Sequence, residues 1–122
     1  MPHRVLIVDD EPNIVTSLQF LMAKNGFDTG VARDGEAALA EVERFRPDLM
    51  LLDAMMPHRD GFEVCQKLRS SGHTDLKIVM LTAKGRETEV AKGLAVGADA
   101  YVTKPFSTRE LVDLVNKLLA GG

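Results

Sequence analysis

Two short apolar runs in this sequence end directly on aspartates. Residues 5–8 are followed by Asp9 and Asp10, and residues 49–52 are followed by Asp53. Runs of four or five apolar residues bounded by polar ones are typical of strands buried on both faces of a parallel sheet. In open α/β sheets, ligands bind beyond the carboxyl ends of the strands. We therefore expect the three aspartates to meet in one pocket at that edge.

Three negative charges in one pocket limit the kinds of site that the pocket can form. Carboxylates crowded together away from water either bind a cation or have raised pKa values. Mg²⁺ prefers oxygen ligands and usually takes one or two protein carboxylates together with water. A carboxylate can also attack phosphorus and form an aspartyl phosphate. The sequence thus predicts a hard-metal site beside a reactive aspartate.

Strand-like and helix-like segments alternate along the whole chain. The predicted strands are residues 5–9, 28–32, 49–53, 78–82 and 100–103. The predicted helices are residues 12–25, 35–45, 61–71 and 86–96, and a fifth that opens with a capping-box pattern at 107–110. This alternation predicts an α/β fold, a doubly wound parallel sheet of five strands with five helices on its two faces. A chain of 122 residues is the size of one domain, so we assign residues 1–122 to a single domain.

Composition and charge exclude several classes of function. The formal net charge of -3 argues against direct nucleic-acid binding, which needs a basic surface. The single cysteine, Cys65, cannot form an internal disulfide, which fits a reducing compartment, and we expect it in the core. No apolar run reaches transmembrane length, and no room for a signal peptide precedes the first strand. We therefore expect a cytoplasmic protein without membrane contact.

Two further polar residues lie at predicted strand ends. Thr82 ends the fourth strand, and Lys104 follows the fifth. A hydroxyl and an ammonium can bind phosphoryl oxygens and neutralise charge that develops during transfer. Together with the aspartates and a metal ion, they predict a phosphoryl-transfer site.

The sequence resembles the receiver domains of bacterial two-component response regulators over nearly its whole length. Five motifs carry the resemblance: VDDEP at 8–12, LLDAMMP at 51–57, DG at 60–61, LTA at 81–83 and GADAYVTKPF at 97–106. Each motif is weak alone, but the five in this order and spacing are specific. The resemblance implies a flavodoxin-like sheet with strand order 2-1-3-4-5, in a single-domain protein similar to the chemotaxis regulators.

The resemblance also implies a role for each acid. Asp53 would accept a phosphoryl group from a phosphohistidine on a histidine kinase or a phosphotransfer protein. Asp10 and Asp53 would bind Mg²⁺ directly, and Asp9 would act mostly through water. The backbone carbonyl of Met55 would be the third protein ligand.

The resemblance implies that other matched residues respond to phosphorylation of Asp53. Thr82 would hydrogen-bond the phosphoryl group, and Lys104 would form an ion pair with it. Tyr101 would turn its ring inward as Thr82 moves, and the peptide bond between Lys104 and Pro105 would be cis. Partner binding would change at the face formed by the fourth helix, the fifth strand and the fifth helix. The output protein stays unidentified, and the state could be a monomer or a phosphorylation-dependent dimer.

Three alternatives stand beside this interpretation. A haloacid-dehalogenase-type phosphatase also uses an aspartyl phosphate and Mg²⁺, but it needs an acid two residues after its nucleophile, where this chain has Met55. We therefore expect a signalling switch and not an enzyme. A receiver-like domain that works without phosphorylation is disfavoured by the intact set of acids. The chain could also be one receiver from a longer regulator or hybrid kinase, although we expect no second domain after the fifth helix.

One departure from the family pattern affects the loop after Asp53. His58 and Arg59 occupy positions where family members often have a small residue. Their bulk puts the shape of this loop in doubt.

Overall fold

The fold is one parallel sheet covered by helices on both faces. A computed structural model describes residues 2–56, 60–83, 91–92 and 94–121. The strands are β1 (Arg4–Val8), β2 (Asp28–Ala32), β3 (Leu49–Asp53), β4 (Lys77–Ala83) and β5 (Ala100–Lys104). The helices are α1 (Pro12–Lys24), α2 (Gly35–Phe45), α3 (Gly61–Ser70) and α4 (Thr108–Leu119). The strand order β2-β1-β3-β4-β5 confirms the predicted five-stranded sheet.

The predicted element bounds agree with the structure to within one residue. β2, β3 and α2 have the predicted bounds, and the other described elements differ by one residue at one or both ends. The predicted helix at 86–96 falls largely outside the described residues, so four helices are described where five were predicted. Residues 91–92 and 94–95 are helical, and the Val96 N–H donates to the Lys92 carbonyl at 3.1 Å. α4 is therefore the fifth helix of the sequence prediction.

Alternate residues of the central strands face two separate cores. Leu6 and Met50 pack between the sheet and α2 and α3, whereas Ile7 and Leu51 pack between the sheet and α1 and α4. All four side chains are fully buried. Because β1 and β3 have no solvent-facing side, their sequences are continuous apolar runs. Cys65 lies in the first core as predicted, and burial raises the pKa of its thiol.

Three of the four described helices begin with a side-chain cap. Asp34, Asp60 and Ser107 each accept a hydrogen bond from the backbone N–H three residues further on, at 2.8, 2.9 and 3.3 Å respectively. These bonds satisfy N–H groups that a helix start leaves free. At α1 the cap position is Glu11, which makes no side-chain cap bond, and Pro12 opens the helix.

No helix among the described residues is long and apolar enough to cross a membrane.

Arg69, near the end of α3, ties this helix to the segments that precede β4 and β5. Its guanidinium donates to the carbonyl oxygens of Gly97, His73 and Leu76 at 2.9, 2.7 and 2.6 Å, and to Asp99 Oδ2 at 2.9 Å. The same Asp99 oxygen accepts a hydrogen bond from the Ile78 N–H at 2.7 Å. One side chain thus joins the segment that leads into β4 to the segment that leads into β5.

We expect Arg69→Met to lower the free energy of unfolding by about 2–4 kcal/mol, because it leaves Asp99 without its cation and three carbonyl groups without a donor. Arg44→Met is the matched control. Arg44 pairs with Glu41 at 2.6 Å, but its side chain is 71% exposed against 18% for Arg69, so its loss should matter much less. Urea denaturation measures both, and equal losses would contradict the prediction.

Candidate functional site

The sheet register brings the polar strand ends together. Val8 on β1 pairs with Leu52 on β3, so Asp9 and Asp53 follow at the same level on adjacent strands. Carboxylate oxygens of Asp9, Asp10 and Asp53 all lie within 4.8 Å of one another. The three aspartates therefore meet at the carboxyl edge of the sheet, where the sequence places them.

The three acids differ in burial and in partners. Asp9 is fully buried, Asp53 is 6% exposed and Asp10 is exposed. Asp9 Oδ2 accepts a hydrogen bond from Lys104 Nζ at 2.9 Å, and its Oδ1 accepts one from the Glu11 backbone N–H at 3.0 Å. Asp53 Oδ1 accepts from the backbone N–H two residues further on, at 3.2 Å. Within the described residues, hydrogen bonds thus reach both oxygens of Asp9 but only Oδ1 of Asp53.

The surroundings of Asp53 disfavour the charged form of its carboxyl group. Burial, and next the negative charge of Asp9, raise its pKa to about 6, although Lys104 and the Met55 N–H act in the opposite direction. A nearby cation would relieve this repulsion and favour the charged form. Grouped carboxylates open to water are the ligands that Mg²⁺ prefers. The acidic cluster therefore fits a divalent metal ion.

The Lys104 ammonium lies among three carboxylates. Its Nζ is 2.9 Å from Asp9, 3.7 Å from Glu11 and 3.7 Å from Asp53. Burial disfavours its charge, but the carboxylates outweigh burial and raise the pKa of Lys104. The peptide bond to Pro105 is cis, as the resemblance implies. Lys104 is therefore a fixed cation whose nearest partner here is Asp9.

Thr82 carries a hydroxyl oxygen that has no hydrogen-bond partner in the described part of the chain. The residue is 3% exposed, and its Oγ1 is fully buried. Buried polar groups are nearly always hydrogen-bonded, so an unpaired one calls for a specific explanation. Leu81, the residue before it, is aligned with Asp53 in the sheet. The hydroxyl is therefore carried near the carboxyl end of β4, beside the strand end that holds Asp53.

A cleft of about 300 Å³ opens at this edge of the sheet. It is lined by Asp10, Glu11, Asp53, Met55, Leu81, Ala83 and Lys104. The described lining thus brings acids and Lys104 together around the end of β3. The Met55 side chain cannot transfer a proton, so the position two residues after Asp53 supplies no general acid.

Tyr101 and Thr82 lie on the same face of the sheet. Met80 is aligned with Tyr101, and Thr82 is aligned with Thr103 on β5. Alternate residues of a strand share a face, and Tyr101 is two aligned pairs away from Thr82. Tyr101 is half-exposed, so its ring is not buried in the core. The switching role of Tyr101 stays a prediction.

Two features of the site were missed in the sequence. Glu11 was not proposed as a cleft residue, and the close pair between Asp9 and Lys104 was not foreseen. The only signal for Glu11 is a glutamate at a helix cap, where it makes no cap bond. His58 and Arg59, whose bulk raised the question of loop shape, lie outside the described residues.

The fold is that of a receiver domain of two-component signalling. The chain matches the sequence model of the response regulator receiver domain over residues 5–116, and it belongs to that family. It is 47% identical over 119 residues to the alkaline phosphatase synthesis transcriptional regulatory protein PhoP of Bacillus subtilis (strain 168). That alignment covers 98% of this chain and 49% of PhoP, so the chain spans about half the length of that relative.

Solved receiver structures share this fold. The receiver domain of the Francisella response regulator 1452 is 35% identical, with a TM-score of 0.90 and coverage of 97% of both chains. The receiver domain of a signal transduction histidine kinase from Syntrophus aciditrophicus is 31% identical, with a TM-score of 0.88 and coverage of 98% of this chain and 91% of the other. Receivers of regulators and of kinases are therefore both similar to this chain.

Proposed function

We propose that this receiver accepts a phosphoryl group on Asp53, with Mg²⁺ bound in the acidic cluster. The donor would be a phosphohistidine on a histidine kinase or a phosphotransfer protein. The observation that carries this proposal is the buried hydroxyl of Thr82, which has no hydrogen-bond partner among the described residues. A metal site needs only the acids, whereas a hydroxyl donor and the Lys104 ammonium are what a phosphoryl group requires.

The three aspartates would have different roles in metal binding, in line with their burial and hydrogen-bond partners. Asp10 and Asp53 would hold Mg²⁺ directly, with the backbone carbonyl of Met55 as a third ligand. Asp9 would act mostly through water, which agrees with its engagement by Lys104 and a backbone N–H. When bound, the metal neutralises charge on the transferring phosphoryl group and its acceptor.

The transfer itself needs little from the protein beyond position and charge. A carboxylate oxygen of Asp53 attacks phosphorus, the new O–P bond forms, and the N–P bond of the donor breaks, so the electron pair returns to the donor imidazole. Thr82 Oγ1 donates a hydrogen bond to one phosphoryl oxygen. Lys104 pairs with another and exchanges Asp9 for the new anion. The modified Asp53 is then the signal and not a step in turnover, so we propose no enzymatic role beyond phosphotransfer and autodephosphorylation.

The signal would be read at the surface formed by the predicted helix at 86–96, β5 and α4. Phosphorylation adds about -1.5 to -2 charges, which recruit Thr82 and Lys104. Reversing a 1:99 population needs about 5.5 kcal/mol, and two charge-assisted hydrogen bonds supply roughly 1.5–3 kcal/mol each. Tyr101 would follow Thr82 inward. The partner would be an output protein or domain, or a second copy of the chain, in the cytoplasm and without direct nucleic-acid or membrane contact.

Incubation with acetyl phosphate and Mg²⁺ tests the proposal. We expect the intact mass to rise by one phosphoryl group, and we expect EDTA to abolish the gain because the acidic cluster then repels the anionic donor. A protein that keeps its unmodified mass with Mg²⁺ and excess donor would instead support a receiver that works without phosphorylation.

Met55 should influence how long the phosphoryl group persists. Its side chain lines the cleft but cannot hydrogen-bond an attacking water. Met55→Asn supplies an amide there, and we expect autodephosphorylation to accelerate by up to about tenfold, the equivalent of one hydrogen bond worth about 1.4 kcal/mol. Decay of the phosphorylated mass after donor removal measures this, with Met55→Leu as the apolar control. An unchanged rate in Met55→Asn would show that the side chain has no part in water access.

A further inference from the structure

Glu11 adds a carboxylate at the mouth of the cleft. Its side chain lines the cleft, and its Oε1 lies 3.7 Å from Lys104 Nζ. The side chain is 62% exposed, in contrast to the buried Asp9 and Asp53. Glu11 and Asp10 are therefore the solvent-exposed acids of the cleft, and an incoming molecule approaches them first.

Side-chain capping does not explain a glutamate at this position. Helix cap positions favour Ser, Thr, Asp and Asn, whose short side chains reach the free N–H groups. Glu11 makes no such bond. Its backbone N–H donates to Asp9 Oδ1, and its carbonyl accepts from the Val15 N–H, both at 3.0 Å. The carboxylate can favour the start of α1 through the helix dipole, and it also lies 3.7 Å from Lys104 in the cleft.

Among the described residues, negative charge outnumbers positive charge at this site. Four carboxylates, those of Asp9, Asp10, Glu11 and Asp53, lie around the ammonium of Lys104. One divalent cation does not neutralise this described set. A small phosphoryl donor must therefore bring its own negative charge into a negative cleft, and the repulsion grows in proportion to the donor's charge.

We propose that Glu11 determines phosphodonor specificity by repelling small, highly charged donors. A donor protein brings an extended surface that contributes to binding, so it is less dependent on the charge at the mouth of the cleft. This inference rests on the proposed phosphorylation of Asp53. It assigns Glu11 a positioning and selection role, with no part in metal binding or in the transfer step.

The test compares two small donors of different charge at saturating Mg²⁺ and neutral pH. Acetyl phosphate enters as a dianion and phosphoramidate as a monoanion. For Glu11→Gln at low ionic strength, we expect the second-order rate of phosphorylation to rise about fivefold with acetyl phosphate and about twofold with phosphoramidate. At about 0.5 M salt, where the Debye length is about 4 Å, both gains should largely disappear.

Two variants serve as controls for this comparison. Glu11→Asp keeps the charge and should keep the donor ratio of the unmodified protein. Asp28→Asn makes the same change in net charge at the start of β2, at the opposite end of the sheet, and should leave both rates unchanged.

The outcomes separate this inference from the proposed function. An equal gain with both donors would mean that Glu11 acts only through Lys104, and a shifted donor ratio in Asp28→Asn would mean that overall charge is responsible. Either result overturns the role of Glu11 while phosphorylation of Asp53 stands. Absence of phosphorylation in every variant, the unmodified protein included, overturns both.

Discussion

Asp53→Asn is expected to abolish phosphoryl incorporation from acetyl phosphate and Mg²⁺ while the fold survives. An amide oxygen is a poor nucleophile, and the nearby Asp9 is already held by Lys104 and a backbone N–H. The substitution keeps the shape of a side chain that is only 6% exposed, so no cavity forms. Intact mass and peptide mapping measure the loss. Labelling of the variant at another residue would sink the assignment of Asp53.

The same variant should change how stability depends on pH. The folded-state pKa of Asp53, about 6, lies above its ordinary value of 3.8. The folded protein therefore binds the extra proton between these values, and its contribution to stability, present at low pH, is lost as the pH rises through this window. In EDTA, we expect the unmodified protein to lose about 1–2 kcal/mol between about pH 4 and pH 7 relative to Asp53→Asn, after allowance for solvent screening.

Urea denaturation of the two proteins at a series of pH values measures this difference. Asp28→Asn, at an exposed position, is the control and should run parallel to the unmodified protein. Mg²⁺ should stabilise the unmodified protein more than Asp53→Asn, because only the former offers the metal all three carboxylates. Parallel curves for the unmodified protein and Asp53→Asn would contradict the raised pKa.

The sheet could be predicted because strands that are buried on both faces have continuous apolar sequences. β1 and β3 contain continuous apolar runs, and each run ends at an aspartate. Capping residues such as Asp34 and Asp60 then set the helix starts to within a residue. Since parallel strands align their carboxyl ends, the meeting of Asp9 with Asp53 followed from the same pattern.

The partners within the site could not be predicted in this way. Lys104 was expected to pair with a phosphoryl group, and the sequence offered no means of choosing among Asp9, Glu11 and Asp53 in its absence. That choice depends on distances of 2.9 and 3.7 Å and on the complete burial of Asp9, which arise from the three-dimensional packing of β1 against its neighbours. The sequence also could not show that the buried hydroxyl of Thr82 has no hydrogen-bond partner among the described residues.

Lys104→Met is expected to lower the free energy of unfolding by about 3–5 kcal/mol in the absence of Mg²⁺. Asp9 is fully buried, and its Oδ2 is bonded to Lys104 at 2.9 Å, so the substitution leaves a buried carboxylate without a cation beside Asp53. Mg²⁺ should restore part of the loss because it supplies positive charge to the same carboxylates. Chemical denaturation with EDTA and with Mg²⁺ measures both effects. Lys117→Met, at an exposed position on α4, is the matched control and should differ little from the unmodified protein.

The cause of the instability can be isolated by removing the other charge as well. If the uncompensated Asp9 carboxylate is responsible, Asp9→Asn combined with Lys104→Met should recover most of the lost stability, since replacing both members of a buried pair costs far less than removing one. The double variant should also respond less to Mg²⁺ than Lys104→Met does. A double variant as unstable as Lys104→Met would show that packing of the lysine stem, and not its charge, stabilises this edge of the sheet. In that case the exchange of Asp9 for a phosphoryl group by Lys104 would lose its energetic basis.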